Sequence, residues 1–409
     1  MPARAQKTIQ RCAQCAHELA ARDARVICPD CGGMLEVIHP LPSARGPALA
    51  RRFAARAGSG VWRFAELVMP DVGAHAVTWP EGNTPLVERA SVAAWSGLSR
   101  LWLKHEGMNP TGSFKDRGMA VAVTQARRVR ARAVACATTG NTGASMAAYA
   151  ALARLPALVV VPAGSVAAGK LAQALAYGAR VLLVRGDFDE CLRLVRQASE
   201  RLGVTLLNSV NAWRIEGQKT IVLEALAQLG WRAPDWIAVP AGNLGNTAAF
   251  GKALMEAQAL GLIKRVPRLL AVQAAGAAPF AMSYRDGFAV RHRVKADTVA
   301  TAIKIGDPAS YDRAAAAIRA TRGAVVAVSD ADIMKAKTVI DQSGTGCEPA
   351  SAASVAGVRQ LVRSGIIAPT ARVVAVLTGH VLKDAEAAAA GRNQPIEIDA
   401  TVDAIAKVL

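Results

Sequence analysis

The stretch AVACATTGNTGASMAAYAALARLPALVVV, residues 133–161, joins a short apolar run to a loop of small and hydroxyl residues, a helical segment and a second apolar run. Residues 133–137 and 157–161 have the length and the continuous apolar character of strands that are buried on both faces. Two such strands joined through a crossover helix form the unit from which parallel sheets are built. The stretch therefore predicts an α/β fold.

The same alternation continues on both sides of this stretch. Further strands are predicted at residues 101–104, 180–184, 205–207, 236–239, 268–272, 324–328 and 372–377. Helices are predicted at residues 116–130, 187–202, 216–229, 247–260 and 330–342, of which the second begins with Asp187 and Glu190 at capping-box spacing and ends before Gly203. Because nine strands exceed one ordinary sheet, we expect two doubly wound α/β domains with mainly parallel sheets.

Composition narrows the class of protein. Of the 409 residues, 52% are hydrophobic and only 4% are aromatic, which excludes a disordered chain and predicts a core of small aliphatic side chains. The longest uncharged stretch, residues 133–153, has hydroxyl and amide groups at its centre that a bilayer would leave without partners, so we predict no membrane span. The N-terminus has basic residues but no apolar segment, which predicts a cytoplasmic protein.

Four of the seven cysteines are paired by spacing. Cys12, Cys15, Cys28 and Cys31 form the pattern C-x2-C-x12-C-x2-C, which brings four thiolates within reach of one tetrahedral ion. We predict a small zinc-ribbon-like segment with a structural zinc ion, because four protein ligands leave no open position for catalysis. The alternatives are a ribbon-shaped fold without metal, or free thiols in a cytosolic protein. The remaining cysteines stand alone in apolar or helical segments and are predicted to be core thiols: Cys136, Cys191 and Cys347.

Two loops that follow predicted strands carry groups for binding and catalysis. NPTGSFKDRG, residues 109–118, places Lys115 at the start of a helix, where the positive end of the helix dipole lowers the pKa of the amine and favours a nucleophile. The alternative is a solvated surface lysine. TTGNTGAS, residues 138–145, gathers hydroxyl and amide donors around two glycines at another helix start, which favours an anion such as a carboxylate.

Two further loops complete the set. PAGNLGN, residues 240–246, predicts a nest of backbone amides for a monophosphate, since it lacks the Gly-Lys-Ser/Thr ending of a nucleoside triphosphate loop. LTGH, residues 377–380, places Thr378 and His380 on the same face. Ligands of doubly wound sheets lie beyond the carboxyl ends of the strands, so these loops should meet. A lysine at a helix start, a phosphate nest and a second anion site indicate an enzyme that uses pyridoxal 5′-phosphate (PLP).

These motifs also carry a resemblance to a known family. Together with EGNTPL (81–86), NSVNAWRIEGQKT (208–220), TAIKIGDPAS (301–310) and LTGHVLKD (377–384), they resemble the fold-type II, tryptophan synthase β-like PLP enzymes, and among these the threonine synthase family. The resemblance extends over residues 79–384, and the cysteine-paired segment resembles an extension found on some members. It implies a zinc-ribbon-like segment at 1–40, a connector at 41–80, a large PLP-binding domain formed by 81–115 and 215–409, and a small domain at 116–214.

The resemblance also implies residue roles. Lys115 would bind PLP covalently and act as the catalytic base, Phe114 would lie beside the cofactor ring, Asn141 would contact the ring O3′ and Thr378 would face the ring nitrogen. The cofactor phosphate would be held by Gly242, Asn243, Leu244, Gly245 and Asn246. The substrate carboxylate would be held by Thr138, Thr139 and Thr142, and the substrate phosphate by Asn208, Ser209 and Arg214. An arginine at a helix start opposes the dipole, which favours an anion beside Arg214.

The implied reaction is the conversion of O-phospho-L-homoserine and water to L-threonine and phosphate by a homodimer. Two alternatives of the same fold are a cysteate synthase, which uses phosphoserine and sulfite, and a threonine or serine dehydratase. An alternative of another class is a nucleic-acid-binding protein, because the net charge is +18 and a basic run lies at Arg127, Arg128, Arg130 and Arg132. That run has no interleaved aromatic residues for base stacking, so we predict no nucleic-acid partner.

Overall fold

The computed structural model describes residues 7–408 except 57, 139, 165–167, 386 and 388–395. Its strands, numbered in chain order, are β1 Ile9–Cys12, β2 Glu18–Ala20, β3 Leu35–Ile38, β4 Leu86–Glu88, β5 Leu101–His105, β6 Ala133–Ala137, β7 Ala157–Pro162, β8 Arg180–Val184, β9 Val204–Leu206, β10 Trp236–Pro240, β11 Arg268–Ala274, β12 Ala324–Val328 and β13 Val373–Leu377.

The helices surround these strands. They are α1 Gly46–Ala54, α2 Ala65–Val68, α3 Ala90–Ser96, α4 Lys115–Arg128, α5 Asn141–Ala153, α6 Ala168–Ala176, α7 Phe188–Leu202, α8 Ala212–Gln218, α9 Thr220–Gln228, α10 Gly245–Ala259, α11 Pro279–Arg285, α12 Tyr311–Ala320, α13 Asp330–Gln342, α14 Pro349–Arg363 and α15 Val402–Ala406. Among the described residues, no helix has the length and apolar character needed to cross a membrane.

The strands form three sheets. The largest has the order β12-β11-β10-β13-β5-β4, in which only β4 is antiparallel to its neighbour, and the second has the order β8-β7-β6-β9 with every pair parallel. The third is a small antiparallel sheet, β2-β1-β3, near the N-terminus. The predicted α/β class with mainly parallel sheets is therefore confirmed, and the two parallel sheets lie in separate stretches of the chain. The domain boundaries given above stay a prediction.

All nine predicted strands are present, with ends displaced by no more than two residues. The predicted capping box is also present: the Asp187 side chain accepts a hydrogen bond from the Glu190 amide, and Gly203 ends α7 in the left-handed conformation. The helix predicted at 216–229 is wrong in two respects. It begins earlier, at Ala212, because the Asn211 side chain caps the Trp213 amide at 3.0 Å. It is also divided into two helices, α8 and α9. At the junction the Thr220 hydroxyl donates a hydrogen bond to the Gly217 carbonyl oxygen at 2.6 Å.

The loops at the carboxyl ends of the two parallel sheets converge. The loop after β5 joins the loop after β13 through a bridge between Ser113 and Gly379 and through the Phe114 amide, which donates to the Thr378 carbonyl at 3.0 Å. The Asn208 side chain joins the end of β6 to the segment after β9, since its amide exchanges two hydrogen bonds with the Ala137 backbone at 2.8 and 3.0 Å. These contacts position the candidate site.

The N-terminal sheet packs against the large sheet's helices. Leu35 and Val37 of β3 are buried, and their carbonyl groups accept hydrogen bonds from Arg313 of α12 and Lys252 of α10. Beyond β3, buried His39 lies 3.2 Å from Glu216 of α8. The cysteine-bearing sheet is therefore an integral part of the fold.

Candidate active site

Lys115 is the first residue of α4, which puts its amine in the convergence of loops. Its Nζ atom lies 4.1 Å from the centre of the Phe114 ring. The residue remains partly accessible, but burial of the amine, and secondarily the positive charge of Arg214, lowers its pKa to about 7; the charge of Glu348 acts in the opposite direction. A large fraction of the amine is therefore neutral and nucleophilic near neutral pH.

The residue after this lysine anchors the loop. The carboxylate of buried Asp116 accepts hydrogen bonds from the Thr111 amide at 2.7 Å, the Thr111 hydroxyl at 2.5 Å and the Ser145 hydroxyl at 2.5 Å. Burial raises the pKa of Asp116 to about 6. Because Ser145 belongs to α5, Asp116 ties the lysine loop to the helix of the second parallel sheet.

A buried carboxylate joins the loops after β6 and β13. Glu348, the N-cap residue of α14, accepts a hydrogen bond from Asn141 Nδ2 at 2.9 Å and one from Thr378 Oγ1 at 3.2 Å. Burial raises the pKa of Glu348 despite these hydrogen bonds. Two residues implied as cofactor-ring contacts, Asn141 and Thr378, therefore share one partner. His380 is not part of this set of hydrogen bonds among the described residues; its Nδ1 accepts from the Leu382 amide at 3.2 Å.

The segment before α10 has the features of a phosphate cradle. Within the described part of the chain, the amides of Gly242, Asn243 and Leu244 make no hydrogen bond, and Leu244 has a left-handed backbone with φ of 63°. This turn directs amides toward the N-terminus of the 15-residue helix α10, where the helix dipole attracts anions. Gly242 is required sterically, because a Cβ atom there would lie 2.9 Å from the Ile303 Cα.

Unpaired polar atoms border the same helix end. Within the described residues, the buried side-chain atoms without a hydrogen-bond partner include Asn246 Oδ1, Thr247 Oγ1, Ser310 Oγ and Gln218 Oε1. Buried polar groups are normally hydrogen-bonded, so this concentration indicates a polar ligand. The free amides, the hydroxyls and the neutral amine of Lys115 together fit PLP. Thr247, Ser310 and Gln218 were not among the predicted site residues.

Arg214 lies in the first turn of α8 and is 2% exposed. Its Nη1 donates to the Leu207 carbonyl at 3.0 Å, whereas its Nε is buried and has no partner among the described residues. Burial lowers the pKa of Arg214 to about 10, so the guanidinium stays charged at neutral pH. No carboxylate of the described residues lies within 4 Å of it. A buried, incompletely paired cation is a suitable partner for a substrate phosphate.

The other predicted substrate contacts differ in their accessibility and in their hydrogen bonds. Thr138 and Thr142 flank the start of α5 and are partly accessible, and Thr138 Oγ1 accepts from the Gly140 amide at 3.2 Å. Thr139 lies outside the described residues. Ser209 is partly accessible, but the amide of Asn208 is already paired with Ala137. In this arrangement Asn208 holds the two loops together.

The four paired cysteines cluster, with every pair of Sγ atoms within 4.8 Å. Three of the distances are 3.4 to 3.5 Å, close to the separation of about 3.8 Å that tetrahedral thiolates around zinc would have. Gly33 leaves room for them, since a Cβ there would lie 2.9 Å from Cys12 Sγ. The donor set fits a structural zinc ion. Cys136, Cys191 and Cys347 are buried, as predicted.

Glu348 is not among the predicted site residues, because those residues come from loops that follow strands. Glu348 instead lies in the connection between α13 and α14. One signal was present in the sequence: Glu348 precedes Pro349, and proline is common in the first turn of a helix, so a carboxylate was placed at a helix start.

Comparisons with known proteins show which family the chain belongs to. Residues 77–379 match the family model described as "Pyridoxal-phosphate dependent enzyme". The chain is 42% identical to threonine synthase of Methanosarcina acetivorans over 98% of both chains, and 40% identical to that of Methanocaldococcus jannaschii over 98% and 99%. It is 48% identical to threonine synthase of Synechocystis over 76% of this chain and 80% of the relative.

Among solved structures, threonine synthase from Escherichia coli has a TM-score of 0.74 at 19% identity, and the match covers 95% of this chain and 92% of that one. At this identity the structural match shows the fold alone. The near-complete matches at 40% identity and above show more: the chain belongs to the pyridoxal-phosphate dependent enzymes and, within them, to the threonine synthase family.

Proposed function

We propose that this member of the threonine synthase family converts O-phospho-L-homoserine and water to L-threonine and phosphate at the site around Lys115. The family supports the reaction type, and buried Arg214 supports a phosphorylated substrate. The observation that carries the proposal is the pair of separate anion sites: free amides before α10 for the cofactor phosphate, and Arg214 with an unpaired Nε for a second phosphate.

We assign the cofactor contacts by position. Lys115 would hold PLP covalently beside Phe114, the residues from Gly242 to Asn246 would hold its phosphate, and Asn141 and Thr378 would contact the ring. When bound, PLP withdraws electrons from the substrate carbons and so stabilises negative charge on them. Thr378 would face the ring nitrogen with a neutral hydroxyl in place of a carboxylate.

Different side chains transfer protons and bind the two anionic groups of the substrate. The amine of Lys115 removes the proton at Cα and later moves a proton at Cβ, for which a pKa of about 7 is suitable. Arg214 holds the phosphate that leaves from Cγ, and its charge stabilises that leaving group. Thr138 and Thr142, which flank the start of α5, hold the substrate carboxylate, which keeps Cα next to Lys115 while water adds at Cβ.

Two alternative activities, those of a dehydratase and of a cysteate synthase, can be distinguished by their substrates. A dehydratase acts on an amino acid without a phosphate and would have no use for Arg214, whereas a cysteate synthase also binds a phosphorylated amino acid. Phosphate release should therefore be measured with phosphohomoserine and, separately, with phosphoserine plus sulfite. We expect release with phosphohomoserine and formation of threonine. Release only with phosphoserine and sulfite would overturn the proposal.

The same assay tests the role of Lys115. Lys115→Ala should abolish both phosphate release and the absorbance above 400 nm of bound PLP. The matched control is Lys335→Ala, which removes an exposed lysine of α13. This control should retain both signals. An active Lys115→Ala variant would refute the assignment.

We further propose that the enzyme is a cytoplasmic homodimer. The seven free cysteines support a reducing compartment, and the resemblance supports the dimer. Light scattering of the purified holoenzyme would give twice the chain mass if the dimer proposal is correct, and the mass of one chain if it is not.

A further inference from the structure

Glu348 is a buried carboxylate without a cationic partner. It is 5% exposed, and no lysine or arginine of the described chain lies within 4 Å of it. Burying an unpaired carboxylate is costly, so such groups are retained where surrounding donors and a function compensate. The Glu348 amide also donates to the Gly379 carbonyl at 3.1 Å, which fixes the residue against the loop after β13.

The hydrogen bonds around this carboxylate continue through Thr378 to Ser351. The Thr378 hydroxyl donates to Glu348 Oε1 at 3.2 Å. Ser351 Oγ lies 2.9 Å from Thr378 Oγ1, accepts from the Gly379 amide at 2.9 Å and lies 3.4 Å from the Gly379 carbonyl oxygen. The Thr378 hydroxyl is therefore held between Glu348 and Ser351.

The same carboxylate determines the orientation of Asn141. Because Nδ2 of Asn141 donates to Glu348 Oε2, the carbonyl end of that amide points away from Glu348. The amide keeps its second N–H for another acceptor. Asn141 starts α5 beside one parallel sheet, whereas Thr378 follows β13 of the other. Glu348 thus joins the two halves of the site.

We propose that Glu348 is a positioning residue that orients the Asn141 amide and the Thr378 hydroxyl toward the PLP ring. This inference rests on the proposed function, because it takes Asn141 and Thr378 as the ring contacts. Without Glu348 both side chains would lose their common acceptor and turn, so the cofactor would bind in altered surroundings.

Glu348→Gln tests the inference at constant side-chain size. Asn141 and Thr378 donate to different oxygens of Glu348, and glutamine replaces one of these oxygens by an NH2 donor, so one of the two side chains would lose its acceptor. We expect the dissociation constant of PLP from the apoprotein to rise about tenfold, as for a lost hydrogen bond to a charged group. The absorbance maximum of bound PLP should shift as well. The control is Cys347→Ala, which changes the neighbouring buried side chain and should leave both readouts unchanged.

A double-mutant cycle separates positioning from a general loss of packing. If Glu348 acts through Asn141, Glu348→Gln should weaken PLP binding far less in an Asn141→Ala background than in the wild type. Equal losses in both backgrounds, or PLP affinity and spectrum that match the wild type, would overturn the inference. Glu348→Asp serves if the glutamine variant does not fold: its charge is kept but its reach is shorter, and an unchanged PLP spectrum would count against positioning.

The outcomes also distinguish this inference from the proposed function. If the wild type shows no absorbance that depends on Lys115, the proposed function fails. If that absorbance is present but Glu348→Gln behaves like Cys347→Ala, only the inference on Glu348 fails.

Discussion

Lys115 shows how surroundings change a common side chain. A surface lysine is protonated at neutral pH, but burial and the nearby charge of Arg214 bring the pKa of this amine to about 7. The helix dipole at the start of α4 predicts the direction of this shift. In the structure, burial is the larger cause, and burial depends on the convergence of loops that are far apart in the chain.

The lowered pKa predicts how cofactor loading depends on pH. Only the neutral amine attacks PLP, and a lysine becomes neutral as the pH rises through its pKa. The rate at which the apoprotein binds PLP covalently should rise by roughly tenfold per pH unit below 7 and level off above it. Stopped-flow absorbance measures this rate. Nα-acetyl-lysine, with an ordinary pKa, is the control and should show a rate that still rises at pH 9. The same continued rise in the protein would contradict the assignment.

Arg214 predicts a separation between substrate and cofactor binding. Arg214→Gln should raise KM for phosphohomoserine by about 30-fold, which corresponds to the roughly 2 kcal/mol of a charge-assisted hydrogen bond. The PLP spectrum should stay that of the wild type. Arg265→Gln, which removes an arginine paired with Asp235 before β10, should change neither quantity. An unchanged KM in Arg214→Gln would show that another group binds the substrate phosphate.

At the scale of elements, the approach of α8 to α4 places Arg214 beside Lys115. The two helices touch through glycines: a Cβ atom at Gly217 would lie 1.9 Å from the Arg117 carbonyl oxygen, and one at Gly118 would lie 3.3 Å from the Arg214 carbonyl oxygen. Backbones come this close only where side chains are absent. The position of Arg214 therefore depends on Gly217, three residues further along α8.

Gly217→Ala should separate the two helices and displace Arg214. We expect a large loss of stability together with a higher KM for phosphohomoserine. Asp187→Ala is the matched comparison, because it removes the cap of α7 and should lower the free energy of unfolding by about 1 kcal/mol without changing KM. Urea unfolding and steady-state kinetics measure both effects. A Gly217→Ala variant with unchanged KM would refute the link between the helix contact and Arg214.

At the scale of the whole molecule, the basic run near Arg128 does not form the exposed positive surface that its sequence suggests. The side chain of Arg128, which is part of the basic run, is buried and pairs with Asp71, so the run is not a continuous exposed surface.

The N-terminal sheet is connected to the rest of the molecule by buried groups. His39 pairs with Glu216, which also contacts Lys219 at 2.6 Å and Lys252 at 2.5 Å, so the sheet packs on the helix that carries Arg214.

The cysteine cluster predicts one zinc ion per chain. Chelation should lower Tm by about 5 °C or more, because metal that binds only the folded state stabilises it. Metal analysis by mass spectrometry and thermal unfolding measure the two effects. Cys28→Ala should lose the zinc, whereas Cys191→Ala, which changes a cysteine outside the cluster, should retain it. Wild-type protein with less than about 0.1 zinc per chain would contradict the prediction.

The sequence by itself determined the α/β class, the nine parallel-sheet strands and the cysteine cluster, because apolar periodicity, glycine turns and ligand spacing are local properties. It also identified the family, through motifs that carry the chemistry of the loops. Only the tertiary structure decided which groups share the site. Glu348 meets Asn141 across 207 positions of the chain, and Gln218 and Ser310 border the phosphate cradle, contacts that no local pattern encodes. The physical reason is that burial and hydrogen bonding arise when distant segments of the chain pack together. Burial sets the pKa of Lys115, and the available partners decide that Arg214 Nε has no hydrogen bond among the described residues.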